Sequence, residues 1–199
     1  MPGVTPPNAK RAVFLDRDGT LNPDPGYIDS PDKIAPFSYS AHSIRRLSDS
    51  GRLVVIVTNQ SGVARGLFDE KTLRGINAHL VRLLESEGGH IDGLYYCPHY
   101  PQSDSSETEY LRDCDCRKPK PGLLLRAAAD LEIDLAQSVV IGDRYLDVEI
   151  AHAVGAQSIL VLTGWGKREL DFESQSWPRM PDLVVEDLSA AVDALLAQD

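Results

Sequence analysis

The sequence predicts an α/β fold in which a parallel β-sheet is covered by helices on both faces. Short apolar segments, rich in leucine or β-branched residues, alternate along the chain with longer amphipathic segments. The apolar segments show no polar alternation, which is typical of strands that are buried on both faces. Alternating strands and helices are joined by right-handed crossovers, and such crossovers produce a parallel sheet.

The individual elements follow from the same patterns. Four strands are predicted, at 12–15, 53–57, 139–141 and 159–162. Five helices are predicted, around 43–47 with an end near Gly51, over 70–87, after Pro121, and over 147–154 and 188–197. The helix over 70–87 has leucine and isoleucine at helical spacing. Proline suits the first turn of a helix, which supports the start at Pro121.

Length and composition indicate one soluble domain. The chain has 199 residues, of which 42% are hydrophobic and 25% charged, enough for one full core. No apolar run approaches the roughly 20 residues that span a bilayer. Residues 1–10 contain three prolines and no apolar stretch, so we expect a flexible tail there and not a signal peptide. Residues 11–199 are expected to form a single domain of a cytoplasmic, monomeric protein.

The charge balance limits the partners. Thirty acidic and 20 basic side chains give a net charge of -10. Such a charge repels nucleic acid and anionic membranes, so neither is expected to bind. A small anionic substrate would need a locally basic patch. Arg117, Lys118 and Lys120 form one just before a predicted helix, although a solvated charged surface is the ordinary interpretation of such a run.

Three predicted strands end in polar residues that can take part in chemistry. Asp16, Thr58 and Asp143 each follow an apolar strand, Asp143 after an intervening glycine. In open parallel sheets, ligands bind at the carboxyl ends of the strands, where the strand order reverses. We therefore expect these three residues to meet at one edge. A hydroxyl such as that of Thr58 can donate to a phosphate oxygen, but a helix cap or local turn is its alternative role.

The carboxylates suggest a metal site. Asp16 and Asp18 lie two residues apart on extended backbone and point to the same side. Like charges this close repel unless a cation lies between them or one is protonated. Asp143 would complete a Mg²⁺ site with Asp16 and the backbone carbonyl of Asp18. An aspartate-rich turn is the alternative. Asp147 is left open: it could accept a hydrogen bond from Lys118, bind the metal through water, or cap its helix.

The three cysteines suggest a second metal site. An odd number of cysteines in a chain of this length is not typical of a disulfide framework. Cys97, Cys114 and Cys116 offer three sulfurs, and His99 adds an imidazole. This donor set suits tetrahedral Zn²⁺ with no open position, which would make the zinc structural. The spacing is tighter than in common zinc sites, so thiols without a metal remain the alternative.

Together these motifs resemble those of the haloacid dehalogenase (HAD) superfamily of phosphohydrolases. The resemblance is closest to the D-glycero-D-manno-heptose 1,7-bisphosphate 7-phosphatases and extends from about residue 12 to 196. The stretches that carry it are DRDGTLN at 16–22, TNQSGVARG at 58–66, YYCPH at 95–99 and CDCRKPKPG at 114–122, with Gly142, Asp143 and Asp147.

The resemblance implies a HAD-type, Rossmann-like sheet and a magnesium-dependent phosphatase of heptose nucleotide biosynthesis that acts on a small phosphosugar. Asp16 would be the nucleophile and form an aspartyl-phosphate, and Asp18 would act as general acid and then as base. Thr58, Arg117 and Lys118 would hold the phosphate oxygens. The implied zinc ligands are Cys97, His99, Cys114 and Cys116, in a loop at 97–116. The implied substrate rim consists of Asp24, Pro25, Gly26, Tyr27, Asn59, Gln60, Ser61, Arg65 and Arg144.

The intervals between the motifs leave no room for a separate cap domain, so we expect an open active site. Histidinol-phosphate phosphatase, with a similar zinc loop, is the main alternative. The heptose enzymes are favoured by the segment at 61–66 and by the long interval between Cys97 and Cys114. Two features depart from the heptose pattern, namely the segment at 36–41 and Arg144. The net charge of -10 disfavours a nucleic-acid 3′-phosphatase. From another class, a non-catalytic phosphate-binding module would have no need of Asp18 as an acid.

Overall fold

A six-stranded parallel sheet forms the centre of the molecule, which a computed structural model describes at residues 9–101 and 109–198. Along the sheet the strand order is β3-β2-β1-β4-β5-β6, and every neighbouring pair is parallel. The strands are β1 (Ala12–Leu15), β2 (Leu53–Asn59), β3 (Gly93–Cys97), β4 (Val139–Gly142), β5 (Gln157–Val161) and β6 (Leu183–Val185).

Six α-helices connect and follow the strands. They are α1 (Ser40–Asp49), α2 (Glu70–Ser86), α3 (Gly122–Leu131), α4 (Tyr145–Val154), α5 (Gly166–Glu173) and α6 (Leu188–Leu196). The chain runs outward from β1 through β2 to β3, and then returns past β1 to β4. The strand order therefore reverses between β1 and β4, which is where such sheets bind ligands.

Helices cover both faces of the sheet because successive residues of β1 point into opposite cores. Val13 and Leu15 belong to a core shared with α1, α2 and α6. Ala12 and Phe14 belong to a second core shared with α3 and α4. Only α1 and a short 3₁₀ turn (Pro31–Lys33) lie between β1 and β2, and only α2 lies between β2 and β3. Within the described residues, no cap domain interrupts either connection, as the sequence predicted.

The four predicted strands are confirmed, but β3, β6 and α5 were not predicted. β3 contains a glycine and two tyrosines and is half-buried at one edge of the sheet, and β6 has only three residues at the other edge. Neither resembles the buried apolar runs on which the prediction relied. α5 contains more charged than apolar residues. The helices predicted around 43–47 and over 147–154 begin earlier, at Ser40 and Tyr145.

Most of the predicted tail at 1–10, and residues 102–108 of the predicted loop, lie outside the described residues. Lys10 is described, and its backbone pairs with the α3–β4 connection: its N–H donates to the Glu132 carbonyl and its carbonyl accepts from the Asp134 N–H.

None of the helices in the described part of the chain is both long and apolar enough to cross a membrane.

Candidate functional site

A cavity of about 260 Å³ opens at the carboxyl ends of β1, β2 and β4. These strands are neighbours, with β1 in the middle, so the residues that follow them converge as the sequence predicted. Five predicted catalytic residues line the cavity: Asp16, Asp18, Thr58, Arg117 and Lys118. Seven predicted rim residues also line it: Asp24, Gly26, Tyr27, Asn59, Gln60, Ser61 and Arg144. Of the predicted rim, Pro25 and Arg65 are not among the residues that line it.

Three buried carboxylates lie close together, of which Asp16 and Asp147 line the cavity and Asp143 is not among the lining residues. Oxygen atoms of Asp16, Asp143 and Asp147 lie within 4.8 Å of one another. Asp143 is fully buried, and its Oδ2 accepts the backbone N–H of Trp165 at 2.8 Å. Its Oδ1 is buried and has no hydrogen-bond partner among the residues that the structure describes. An unpartnered buried oxygen is costly, and a cation in the cluster would supply the missing partner. The donor set therefore fits a hard divalent cation such as Mg²⁺.

Burial, together with neighbouring negative charge, raises the pKa values of Asp143 and Asp16. Burial, followed by the neighbouring Asp16 and Asp147 charges, raises the pKa of Asp143 to about 8. Burial also raises the pKa of Asp16 to about 6, although the Lys118 ammonium partly opposes the shift. Without a cation, the folded protein therefore resists placing a full charge on both groups at neutral pH.

Two glycines keep the space around Asp143 open. A Cβ atom on Gly19 or on Gly164 would overlap the Asp143 carboxylate. Both residues also have positive φ angles, 82° and 54°, which a side chain would disfavour. The hydroxyl of Thr163 donates to the Gly19 carbonyl at 2.6 Å and so links the turn that contains Gly19 to the turn that contains Gly164. Gly19 therefore both permits the turn after Asp18 and leaves room for the Asp143 carboxylate.

Lys118 is a buried cation between two carboxylates. Its Nζ lies 3.0 Å from Asp16 Oδ1 and 2.6 Å from Asp147 Oδ1. Burial alone would lower the pKa of Lys118, but the Asp147 and Asp16 charges outweigh burial and raise it. Lys118 therefore stays protonated. The side-chain amide of Asn59 fixes the Lys118 backbone, accepting its N–H at 3.1 Å and donating to its carbonyl at 3.2 Å.

Asp147 fills two of the three roles that the sequence left open. Its Oδ1 accepts the Lys118 ammonium, and its Oδ2 accepts the Arg144 backbone N–H at 3.2 Å, which caps the start of α4. Both oxygens of Asp147 thus have partners within the protein, whereas Asp143 has a partner only for its Oδ2 among the described residues. This difference makes Asp143 the better candidate for a direct metal ligand.

Asp18 is held by three side chains. Asn22 Nδ2 donates to its Oδ1 at 2.9 Å, and Gln60 Nε2 donates to its Oδ2 at 2.7 Å. The Arg17 guanidinium also donates to Asp18 Oδ2, at 2.7 Å, and is itself fixed by Asn77 of α2 at 2.8 Å. Sequence reasoning missed Arg17, because a charged residue at a strand end is normally expected to reach solvent. In this fold its guanidinium is buried.

Trp165 is a second residue that the sequence did not reveal. Its indole Nε1 donates to Asp24 Oδ2 at 2.9 Å, and the Arg144 guanidinium lies 5.2 Å from its ring centroid. The Arg144 Nε also pairs with Glu169 of α5 at 2.9 Å. Trp165, the residue just before the unpredicted helix α5, therefore lines the cavity, and Glu169 of α5 pairs with the lining residue Arg144. No pattern in the sequence marks Trp165, since a single tryptophan in a glycine-rich turn has no defined partner.

The four predicted zinc ligands form a compact cluster. The sulfur–sulfur distances are 3.6 Å for Cys97–Cys114, 3.2 Å for Cys97–Cys116 and 3.4 Å for Cys114–Cys116. His99 Nδ1 lies 3.3 Å from the Cys116 sulfur. Thiolates around tetrahedral Zn²⁺ would lie about 3.8 Å apart, so a bound ion needs only a small expansion. A disulfide, with sulfurs about 2.05 Å apart, does not describe this cluster.

The protonation state of His99 also fits a metal ligand. Burial, and then the charge of Arg112, lowers the pKa of His99. The imidazole therefore stays neutral, as metal binding requires. The cluster is connected to the cavity through Arg117, which directly follows Cys116 and whose guanidinium donates to the His99 carbonyl at 3.1 Å. These residues could hold Zn²⁺ with no position left for substrate.

The fold and this site together define a class of protein. An aspartate follows the first strand of the parallel sheet and pairs with a buried lysine, and a second carboxylate that could bind a cation lies beside it. This arrangement is typical of the HAD-like hydrolases. A family model described as HAD-hydrolase-like matches residues 115–191.

The comparisons with individual proteins narrow the class. Over 191 residues, the chain is 38% identical to the D-glycero-beta-D-manno-heptose-1,7-bisphosphate 7-phosphatase of Pseudomonas aeruginosa, covering 94% of this chain and 99% of that protein. The Haemophilus ducreyi protein of the same name is 45% identical over 157 residues, 78% of this chain and 85% of that one. The D,D-heptose 1,7-bisphosphate phosphatase of B. bronchiseptica, crystallised with magnesium and phosphate, has a TM-score of 0.82 and 36% identity, covering 95% of this chain and 99% of its own.

The chain therefore belongs to the D-glycero-D-manno-heptose 1,7-bisphosphate 7-phosphatase family of the HAD superfamily. The resemblance that the motifs suggested is confirmed.

Proposed function

We propose that this protein hydrolyses the 7-phosphate ester of D-glycero-D-manno-heptose 1,7-bisphosphate, with Asp16 as the nucleophile. One observation supports the chemistry: Asp16 follows β1, where the strand order reverses, its Oδ1 lies 3.0 Å from the Lys118 ammonium, and one of its oxygens lies within 4.8 Å of an Asp143 oxygen. Family membership supports the choice of substrate. The curated relatives are named for the β anomer, so we expect this anomer to be preferred.

Asp16 is oriented for attack by two donors on one oxygen. Its Oδ1 accepts the Arg17 backbone N–H at 2.7 Å and lies 3.0 Å from the Lys118 ammonium. We assign the attack on phosphorus to Oδ2, because Oδ1 is already held. The new bond gives an aspartyl-phosphate while the bond between phosphorus and the sugar oxygen breaks.

Asp18 is the general acid and base in this proposal. It gives a proton to the departing sugar oxygen and then takes one from the water that hydrolyses the aspartyl-phosphate. Gln60 and Asn22 each bind a different oxygen of Asp18, which supports this assignment because they fix the carboxyl toward the cavity that it lines. One group can fill both roles since each half-reaction restores the protonation state that the other needs.

Three residues are placed to receive the phosphate oxygens. Gln60 Nε2 donates to Thr58 Oγ1 at 2.9 Å, so the hydroxyl proton of Thr58 is free to be donated to phosphate. Lys118 and Arg117 both line the cavity and supply positive charge where the transition state spreads negative charge.

Two metals complete the proposal. Mg²⁺ would be held by Asp16, Asp143 and the backbone carbonyl of Asp18, and when bound it reduces the repulsion between the nucleophile and the phosphate. Zn²⁺ would be held by Cys97, His99, Cys114 and Cys116, in a structural role. The unpartnered Asp143 oxygen supports the first assignment and the donor set supports the second.

A direct test compares three substrates with purified protein and Mg²⁺. We expect phosphate release from both anomers of the heptose bisphosphate, faster from the β anomer, and much slower release from histidinol phosphate. Faster release from histidinol phosphate would favour the alternative substrate assignment. Failure to release phosphate from any phosphomonoester would favour a non-catalytic binding module.

A further inference from the structure

We propose that Tyr100 is a positioning residue that directs Arg117 into the phosphate cavity, an inference that rests on the proposed function. Tyr100 directly follows the zinc-cluster residue His99 and is half-buried. The Arg117 guanidinium lies 4.9 Å from the centroid of the Tyr100 ring. It also donates to the His99 carbonyl at 3.1 Å. Arg117 is therefore held by the backbone of one residue and by the aromatic ring of the next.

A second cation lies against the same ring. The Arg65 guanidinium is 4.1 Å from the Tyr100 centroid, closer than that of Arg117. Arg65 comes from the turn after β2, where its backbone N–H donates to the Ser61 carbonyl at 3.0 Å. An aromatic face attracts each cation, but the two cations repel each other. The ring therefore holds both guanidinium groups close to it despite their mutual repulsion.

The backbone of Tyr100 is fixed independently of its hydroxyl. The Tyr100 N–H donates to the Tyr110 carbonyl at 3.1 Å. Tyr110 is in turn anchored to the start of α2, because its hydroxyl donates to Glu70 Oε2 at 2.8 Å. The contact with both guanidinium groups is made by the ring alone. A phenylalanine at this position would keep the role, and an aliphatic side chain would lose it.

These contacts restrict the side-chain conformations of Arg117 before substrate binds. A long arginine side chain loses rotamer entropy when it binds phosphate. Holding its guanidinium against Tyr100 and the His99 carbonyl beforehand reduces that loss. The ring makes this contribution without binding zinc or substrate, so its effect can be separated from loss of the metal.

The experiment compares Tyr100→Leu with Tyr100→Phe by steady-state kinetics on the heptose bisphosphate and by zinc analysis. We expect Tyr100→Leu to lower kcat/KM about tenfold, and Tyr100→Phe to keep the wild-type value. Both variants should retain zinc and the wild-type melting temperature. If Tyr100→Leu does not fold, Tyr100→Met removes the ring with a flexible side chain of similar volume. Wild-type kinetics in the zinc-loaded variant without a ring, or equal losses in the leucine and phenylalanine variants, would overturn the proposal.

A double-mutant cycle tests whether Tyr100 acts through Arg117. In the Arg117→Ala background, Tyr100→Leu should cause no further loss, because the group that it positions is gone. Independent, multiplicative losses would overturn the proposal. If the wild-type protein hydrolyses no phosphomonoester, the proposed function fails separately. Calorimetric titration with inorganic phosphate and Mg²⁺ then still tests Tyr100, with an expected tenfold weaker Kd for the leucine variant alone.

Discussion

The carboxylate cluster and the Cys/His cluster hold their side chains in place by different means. Asp16 and Asp143 follow strands whose residues Leu15 and Ile141 are paired in the sheet, so the hydrogen-bonded ladder sets their backbone positions. In the Cys/His cluster, only Cys97 belongs to a strand, and that strand is at the edge. Cys114 belongs to a segment outside any helix or strand. The fold therefore positions the first site, whereas the second is held less by regular secondary structure and would gain most from a bound metal.

The largest effect is expected from Asp16→Asn. If Asp16 is the nucleophile, the substitution should lower kcat by at least about 10⁴-fold. Since it removes a buried negative charge next to Asp143, the melting temperature should not fall much. Kinetics and thermal unfolding check both parts. A variant that retained a tenth of the activity would show that another group attacks phosphorus.

Cys114→Ala tests the dependence of the zinc loop on its metal. We expect loss of zinc, a lower melting temperature and a fall in kcat/KM of about 10–100-fold, because Arg117 would no longer be held at its place. Asp113→Ala is the matched control, since it removes an exposed neighbour whose ion pair with Lys120 contributes little. Metal analysis and kinetics distinguish the two. Full activity and stability in the cysteine variant would refute the structural zinc.

Gln60→Leu tests the hydrogen bonds that hold Asp18 and Thr58 in the cavity. It removes the group that donates hydrogen bonds to Asp18 and to Thr58. We expect kcat to fall about tenfold, because two hydrogen bonds are lost and the one to Asp18 involves a charged group. Gln60→Glu keeps the size but sets a like charge against Asp18, so its loss should be greater. Zinc content should be normal in both. Equal kinetics for the two variants would argue against the assigned contact.

The smallest expected effect is a dependence of the free energy of unfolding on pH. In the metal-free protein, burial raises the pKa of Asp16 to about 6 and of Asp143 to about 8. The folded state then binds more protons than the unfolded chain, so the free energy of unfolding should fall as pH rises from about 4 to about 8. Mg²⁺ should oppose this loss and raise the melting temperature more near pH 8 than near pH 5. A Mg²⁺ effect that is independent of pH would count against a site at these carboxylates.

The sequence predicted the site correctly where reactive residues directly follow apolar strands. β1, β2 and β4 are uninterrupted apolar runs, and parallel pairing brings their ends together, so the meeting of Asp16, Thr58 and Asp143 was predictable. The clustering of Cys97, Cys114 and Cys116 was likewise predictable, because they are the three cysteines of the chain, and His99 lies two positions after Cys97.

Sequence reasoning failed where the partner is distant and the local pattern is polar. The role of Arg17 depends on Asn77, sixty residues away in α2. Trp165 contacts Asp24 across 141 residues. The contact between the Arg65 guanidinium and the Tyr100 ring, which lie 35 positions apart, was likewise not predicted. Each of these contacts is set by tertiary packing, which neither periodicity nor local spacing encodes.

The central claim is that Asp16 becomes phosphorylated during turnover. Rapid acid quenching of the wild-type protein with the heptose bisphosphate and Mg²⁺, followed by peptide mass spectrometry, tests it directly. We expect one added phosphoryl group on the peptide that contains Asp16, absent when Mg²⁺ is omitted and absent in Asp16→Asn. Turnover with no phosphoryl group on that peptide, or with one on a different residue, would contradict it.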